Sequence, residues 1–322
     1  MHLRGTLHAD TALRLAEKNG VKLPPQFVSR RAYEWSDFSD FLLLYDRVGA
    51  AITKADDLAD VASSYLSRCA GEGTLHVELM LSPGHLLERN IPYRDQIAAV
   101  VVGIENARHA HGISAGIILT CVRHRGPEEA VRVAELAGRD PHPLVVGFGM
   151  TGDERRYAPE AFRDAFAIAS SLGLGLTAHA GEWLDCRSLL ATVDLLRLDR
   201  VGHGIRAVED PAVLAELAAR GTGLEICLSS NAKLKAVQSL QAHPLPLMLE
   251  AGCRLCLSTD DPAYFDTSPA NEYRLASTLP GIDDAELWRI SLDAIEMSFC
   301  DDGRKAVMRE AVGPGPSRAR MK

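Results

Sequence analysis

Short apolar runs alternate with longer stretches of helical period along most of this chain. The runs are "LHVELMLSP" (75–83), "SAGIILTCV" (114–122), "PLVVGFGM" (143–150), "GLGLTAHA" (173–180), "DRVGHGI" (199–205), "GLEICLSS" (223–230) and "CRLCLSTDD" (253–261). Runs of that length, bounded by turn residues and rich in Val, Ile and Leu, predict buried strands of a parallel sheet. Their ends fall roughly 24 to 40 residues apart, the spacing that strand, loop and helix take in a (β/α)8 barrel. Between them, "DTALRLAEKNG" predicts a helix capped by Asp10 and stopped at Gly20. "APEAFRDAFAIASSLG" predicts one ending at Gly173, and "DPAVLAELAARG" one with Asp210 as cap and Pro211 at its first position.

The expected fold is therefore an α/β (β/α)8 TIM barrel in a single domain over 1–303, without internal repeats. Seven strands are visible where eight are needed, so strand 1 is largely missing and belongs just ahead of His2. The segment 23–52 contains no strand and carries Trp35, Phe38, Phe41 and Tyr45 in a predicted helix. It is expected to cover the barrel mouth, although ordinary packing of an amphipathic helix is the better reading of any one of those aromatics taken singly. Residues 304–322 read as a short helix followed by a disordered Pro/Gly and basic tail.

Composition narrows the partners. The chain has 322 residues, 47% of them hydrophobic, enough for one large core, and its formal net charge of −8 provides no basic field for nucleic acid or an acidic membrane surface. Neither a signal peptide nor an apolar stretch of about 20 residues is present. The seven cysteines are scattered through apolar runs, which predicts free thiols in a reducing, cytoplasmic setting. Nothing in the sequence specifies an oligomeric state.

The strand ends carry the chemistry. Functional side chains of a βα barrel gather at the C-terminal ends of its strands. There "TAHAGE" supplies His179 and Glu182, "VGHG" supplies His203 and "STDDP" supplies Asp260 and Asp261. Either histidine alone would read as a hydrogen-bonded structural residue. Together with three carboxyl groups on one rim they form what a hydrolytic Zn²⁺ site requires, namely imidazole and carboxylate ligands and a group for proton transfer. A cytidine-type zinc site from "HVE" (76–78) and "CRLC" (253–256) is rejected, because no Pro-Cys precedes the cysteines and residues three apart on a strand face opposite ways.

The ordered series "HLRGTL", "TAHAGE", "VGHG", "SSN" and "STDDPAYF" resembles the motifs of the adenosine and adenine deaminase family of the amidohydrolase superfamily, from His2 to about Tyr273. The resemblance implies a barrel with one Zn²⁺ per chain that hydrolyses the 6-amino group of a small-molecule purine. It implies His2, His179 and Asp260 as zinc ligands, Glu182 as proton donor to ring N1 and His203 as the group orienting the attacking water. Asp261 would bond ring N7, and the backbone N–H of Gly152 in "MTGDE" would face N3.

The chain departs from the family pattern at its first motif, H-x-H, of which His2 matches the second histidine. This predicts a start assigned too late or a trimmed chain; the alternative is a truly short chain with weak metal binding. Arg4 stands where animal-type members have an aspartate that contacts ribose. A cation cannot accept a bond from a ribose hydroxyl but pairs with carboxylate or phosphate, unless the side chain faces away from the site. Asp266 and Leu228 also replace the family's usual glycine and proline. "SSNAKLKAVQ" and "DDPAYF" resemble the adenine-deaminating branch, whereas "MTGDE" resembles the nucleoside-deaminating one. The expected activity is deamination of adenosine to inosine and ammonia. Adenine or an N6-substituted or modified aminopurine nucleoside are alternative substrates, and a non-catalytic purine-binding barrel with a defective zinc site is the alternative of another class.

Overall fold

The computed structural model describes residues 1–25, 27 and 33–316. Its centre is one all-parallel sheet with strands in chain order: β1 His76–Leu81, β2 Ser114–Val122, β3 Val145–Thr151, β4 Gly175–Ala180, β5 Arg200–His203, β6 Gly223–Ile226 and β7 Leu255–Leu257. Helices return the chain outside the sheet between successive strands. The helix Pro127–Arg139 shows why: Ala130, Val133, Ala134 and Ala137 are buried at helical spacing, while charged residues fill its other face.

The sheet curls far enough for side chains four strands apart to meet. Arg200 on β5 lies 2.6 Å from Glu78 on β1 and 2.8 Å from Glu225 on β6, all three nearly buried. This is the interior of a TIM-barrel-like fold rather than an open sheet. The gap between β1 and β7 is spanned at the C-terminal rim by the first residues of the chain. Met80 N–H donates to Met1 O at 2.8 Å, Leu3 N–H donates to Met80 O at 2.9 Å, and His2 N–H donates to Asp260 O at 3.0 Å. The single parallel bridge His2 to Met80 thus stands where the eighth strand was expected to end.

Several local expectations shift. Helix Ala9–Asn19 is capped by His8, and Asp10 sits inside its first turn, where a carboxylate favours the positive end of the helix dipole. The run 223–230 is strand only to Ile226, because the chain turns into the short helix Leu228–Lys233. Helix Pro211–Arg220 begins as expected, with the Asp210 carboxylate accepting from Ala212 N–H at 2.9 Å.

Helix Phe38–Gly49 lies across the barrel mouth, with Phe41, Leu44 and Val48 buried. Phe41 stacks on Phe265 and Phe38 tilts against Trp183. Part of the expected covering segment, residues 26 and 28–32, lies outside the described residues, as do 317–322 of the tail. The terminal helix spans Asp302–Val312. All seven cysteines are free thiols, and among the described residues no helix is long and apolar enough to cross a membrane.

Candidate active site

The strand ends bring their polar residues to one point. His179 closes β4, His203 closes β5, Asp260 follows β7, and His2 arrives from the N-terminal bridge. One donor atom each from His2, His179 and Asp260 lies within 4.8 Å of the others, and His2 Nε2 is 3.1 Å from Asp260 Oδ1. The His179 ring meets His2 edge-on at 5.2 Å and His203 at 4.9 Å. Burial, then the neighbouring His203 and His2, holds His179 well below the usual imidazole range, so it is the neutral form that ligates metal. Two imidazoles and a carboxylate at this separation, with room for a further ligand, match a catalytic Zn²⁺ site.

His203, Cys227 and Asp260 form a second cluster of donor atoms. Burial pushes the Cys227 thiol well above its ordinary value, and its Sγ donates to Glu225 O at 3.6 Å. Because the thiolate is the metal-binding form, this set is the poorer one.

Two of these residues also have strained backbone. His203 (φ +66°) and Asp260 (φ +55°) adopt the left-handed conformation that non-glycine residues rarely take, and Asp266 (φ +44°) does so where the family pattern has glycine. Such conformations persist only where surrounding structure enforces them. For Asp260 the enforcement includes Ser230, whose Oγ donates to Oδ2 at 2.7 Å and leaves Oδ1 facing His2.

A hydrogen-bond chain fixes the proton on His203. Leu245 N–H donates to His243 Nδ1 at 3.1 Å, so the His243 proton sits on Nε2 and bonds Asn231 Oδ1 at 3.2 Å. The Asn231 amide then donates from Nδ2 to His203 Nδ1 at 3.1 Å. His203 Nε2 is left as the N–H, 3.8 Å from Glu182 Oε2. Asn231 was visible in the sequence only as part of a motif, and His243, after a Gln-Ala pair in a loop, carried no signal at all.

Glu182 is buried, its Oε1 has no partner, and burial pushes its carboxyl up to about 7. Its loop is held by a residue that sequence reasoning missed. The Glu154 carboxylate accepts four successive backbone N–H groups, from Gly181 at 2.6 Å, Glu182 at 3.1 Å, Trp183 at 2.8 Å and Leu184 at 3.2 Å. Glu154 lies in the quoted "MTGDE", and an acidic residue there reads as ordinary loop polarity.

Asp261 is also buried, with Oδ1 unpartnered and its carboxyl raised, by burial before any other cause. A Cβ on Gly5 would fall 1.9 Å from that oxygen, so only glycine lets the N-terminal turn pass Asp261. Gly152 (φ +94°) lines the cavity beside His124, whose Nδ1 a Cβ there would approach to 2.8 Å. The cavity encloses about 700 Å³, counting its open mouth, and the covering helix lines it with Phe38, Phe41, Leu42 and Tyr45. Arg4 does not face away: it is buried in the same wall, its Nη2 3.2 Å from Asp46 Oδ1 and its guanidinium 4.9 Å over the Tyr45 ring. The residues of the rejected cytidine-type site lie elsewhere. Glu78 and Cys256 face the Arg200 cluster, while Cys253 Sγ reaches Leu214 O outside the sheet.

A barrel whose rim holds a His-His-Asp donor set beside a buried carboxyl group has the donor chemistry of a metal-dependent hydrolase. The family model described as adenosine deaminase matches residues 1–314. An adenine deaminase of Agrobacterium fabrum is 38% identical over 312 residues, 97% of this chain and 96% of the relative. The crystal structure of an adenine deaminase from Arthrobacter aurescens superposes with a TM-score of 0.91 at 31% identity, covering 97% of this chain and 96% of that one. An amidohydrolase from Burkholderia ambifaria, solved with bound Zn, gives a TM-score of 0.89 at 30% identity over 98% and 88% of the two chains. The chain belongs to the adenosine deaminase family, a class of purine-deaminating hydrolases.

Proposed function

We propose that this protein hydrolyses the exocyclic 6-amino group of a purine, releasing ammonia and leaving a 6-oxo group, and that its substrate is substituted at N9 in the manner of adenosine. The observation that carries the reading is the unpartnered, protonatable Glu182 carboxyl beside the His2, His179 and Asp260 donor set. One Zn²⁺ held by those three residues would make water nucleophilic near neutral pH.

The chain's own groups do the rest. Attack at C6 pushes electron density onto N1, and Glu182, half protonated near pH 7, donates a proton there; general acid catalysis of this kind contributes about 10²–10⁴-fold. His203 presents the Nε2–H that its relay fixes and orients the nucleophile by donating to it. The raised Asp261 carboxyl donates to N7, the Gly152 N–H faces N3, and Glu182 and Asp261 together set the ring in its plane. The helix Phe38–Gly49 excludes bulk water above it.

An N9 substituent is supported by the cavity, whose lining includes, besides these groups, Arg4, Tyr45, Asp46, His85 and His124. The names of the relatives favour a second reading, free adenine as substrate. Initial rates of ultraviolet absorbance loss with adenosine and with adenine separate the two, and faster turnover of adenine would reverse the assignment. The free thiols support a cytoplasmic setting.

A further inference from the structure

One wall of the cavity has a chemistry that neither the purine ring nor a ribose explains. Arg4 is 6% exposed, and its Nη1 is buried without an acceptor. Its other nitrogens are engaged only loosely. Nη2 reaches Tyr45 O at 3.4 Å and Asp46 Oδ1 at 3.2 Å, and the Asp46 side chain is about half exposed, so its charge is largely screened by solvent. A buried guanidinium with one empty donor and a solvent-screened counter-ion is costly unless a ligand completes it.

Two histidines extend the same wall, and both are neutral donors. His85 Nδ1 accepts from Arg125 at 3.3 Å and His124 Nδ1 accepts from Asp153 N–H at 3.4 Å, so each carries its proton on Nε2. Burial, aided by the charges of Arg4 and Arg125, pushes His85 down to about 3. Arg89, close enough to be felt by Arg4, donates to the Gly49 and Ile52 carbonyls rather than to a carboxylate. Apart from the half-exposed Asp46, the wall therefore offers N–H donors and positive charge, and a hydroxyl group would add nothing to balance that charge.

Resting on the reading of the site as a 6-aminopurine deaminase, we propose that the natural substrate carries an anionic oxygen group, a phosphate or a carboxylate, at the far end of its N9 substituent, and that Arg4 selects for it. The planar guanidinium, held flat against Tyr45, matches either group.

The test compares zinc-loaded full-length protein with its Arg4→Gln and Arg4→Lys variants on adenosine, adenosine 5′-phosphate and adenosine 5′-carboxylate. Wild type is expected to favour one anionic substrate over adenosine in kcat/KM by roughly 10- to 100-fold, the factor carried by a hydrogen bond to a charged group. The preferred anion identifies the source. In Arg4→Gln that ratio collapses toward one, mainly through KM, while Arg4→Lys keeps part of it. No preference in the wild type, or a loss in Arg4→Gln that is equal for all three substrates, overturns the proposal. Should none be deaminated, adenine is assayed as well; no turnover of any of the four defeats the deaminase reading by itself, and calorimetric binding of inosine 5′-phosphate against inosine decides the anion site. Tighter, Arg4-dependent binding of the nucleotide supports the site, and equal binding overturns it.

Discussion

The amide of Asn231 donates to Nδ1 of His203 at 3.1 Å, and this bond decides which nitrogen of that imidazole carries its proton. The direction is anchored at the far end by a backbone N–H, that of Leu245, which can only donate. Asn231→Asp replaces the donor by an acceptor and moves the His203 proton to Nδ1. A loss of kcat of about 10²-fold or more is expected, as for other catalytic histidines held in the wrong tautomer, with zinc content maintained. Steady-state kinetics with metal analysis check this, and wild-type kcat would remove the relay from the account.

Glu182→Gln should keep the metal and lose nearly all turnover, by at least the roughly 10²–10⁴-fold that a general acid contributes. An amide fits the same space but has no proton to give to N1. His179→Ala should do the reverse and lower zinc content first. Metal analysis of the two variants side by side distinguishes a proton donor from a ligand.

The Glu154 clamp predicts a coupled loss of stability and activity. Removing its carboxylate in Glu154→Ala leaves four N–H groups from Gly181 to Leu184 without an acceptor in a buried loop. A destabilisation of about 3–5 kcal/mol is expected by analogy with other broken buried charge networks. Denaturant unfolding measures it, and a change under about 1 kcal/mol, the scale of an exposed pair, would show that the loop holds itself.

Acid stability should depend on the barrel-floor cluster. Burial alone would raise the Glu78 carboxyl, but Arg200 and His76 together outweigh it and the group is held down to about 2 from an ordinary 4.5. A depressed carboxyl contributes stability that is complete above the unfolded value and is lost as pH falls from about 4.5 toward 2, here about 3 kcal/mol. Unfolding free energies measured across that window should decline less steeply in Glu78→Gln than in wild type. Equal slopes would place the acid sensitivity elsewhere.

The fold and the residues gathered at its rim were legible because each leaves a repeating or ordered trace. β2 and β4 lie within apolar runs read directly from the sequence, and His179, His203 and Asp260 each follow such a run. What escaped depends on contacts between distant segments. Glu154 matters because it sits 27 residues before Gly181 yet touches its N–H, and Arg4 because helix Phe38–Gly49 folds over it. The first helix starts at Ala9 rather than after Asp10, with His8 at the N-cap position and no side-chain capping bond, a shift of the size helix ends ordinarily show. Strand 1 was expected to be largely missing from this chain, and in the structure its place is taken at the rim by His2, which bridges Met80 and Asp260.

The central claim is that the His2, His179 and Asp260 set holds a zinc ion that drives deamination of a 6-aminopurine. Its most direct test is one titration: protein stripped with a chelator is given zinc in steps while loss of the aminopurine ultraviolet band is followed. The account predicts no turnover in the stripped protein and a rate that climbs linearly to a plateau at one zinc per chain. A fully zinc-loaded chain that deaminates neither adenosine, adenine nor an anionic derivative would contradict it, as would turnover indifferent to the chelator.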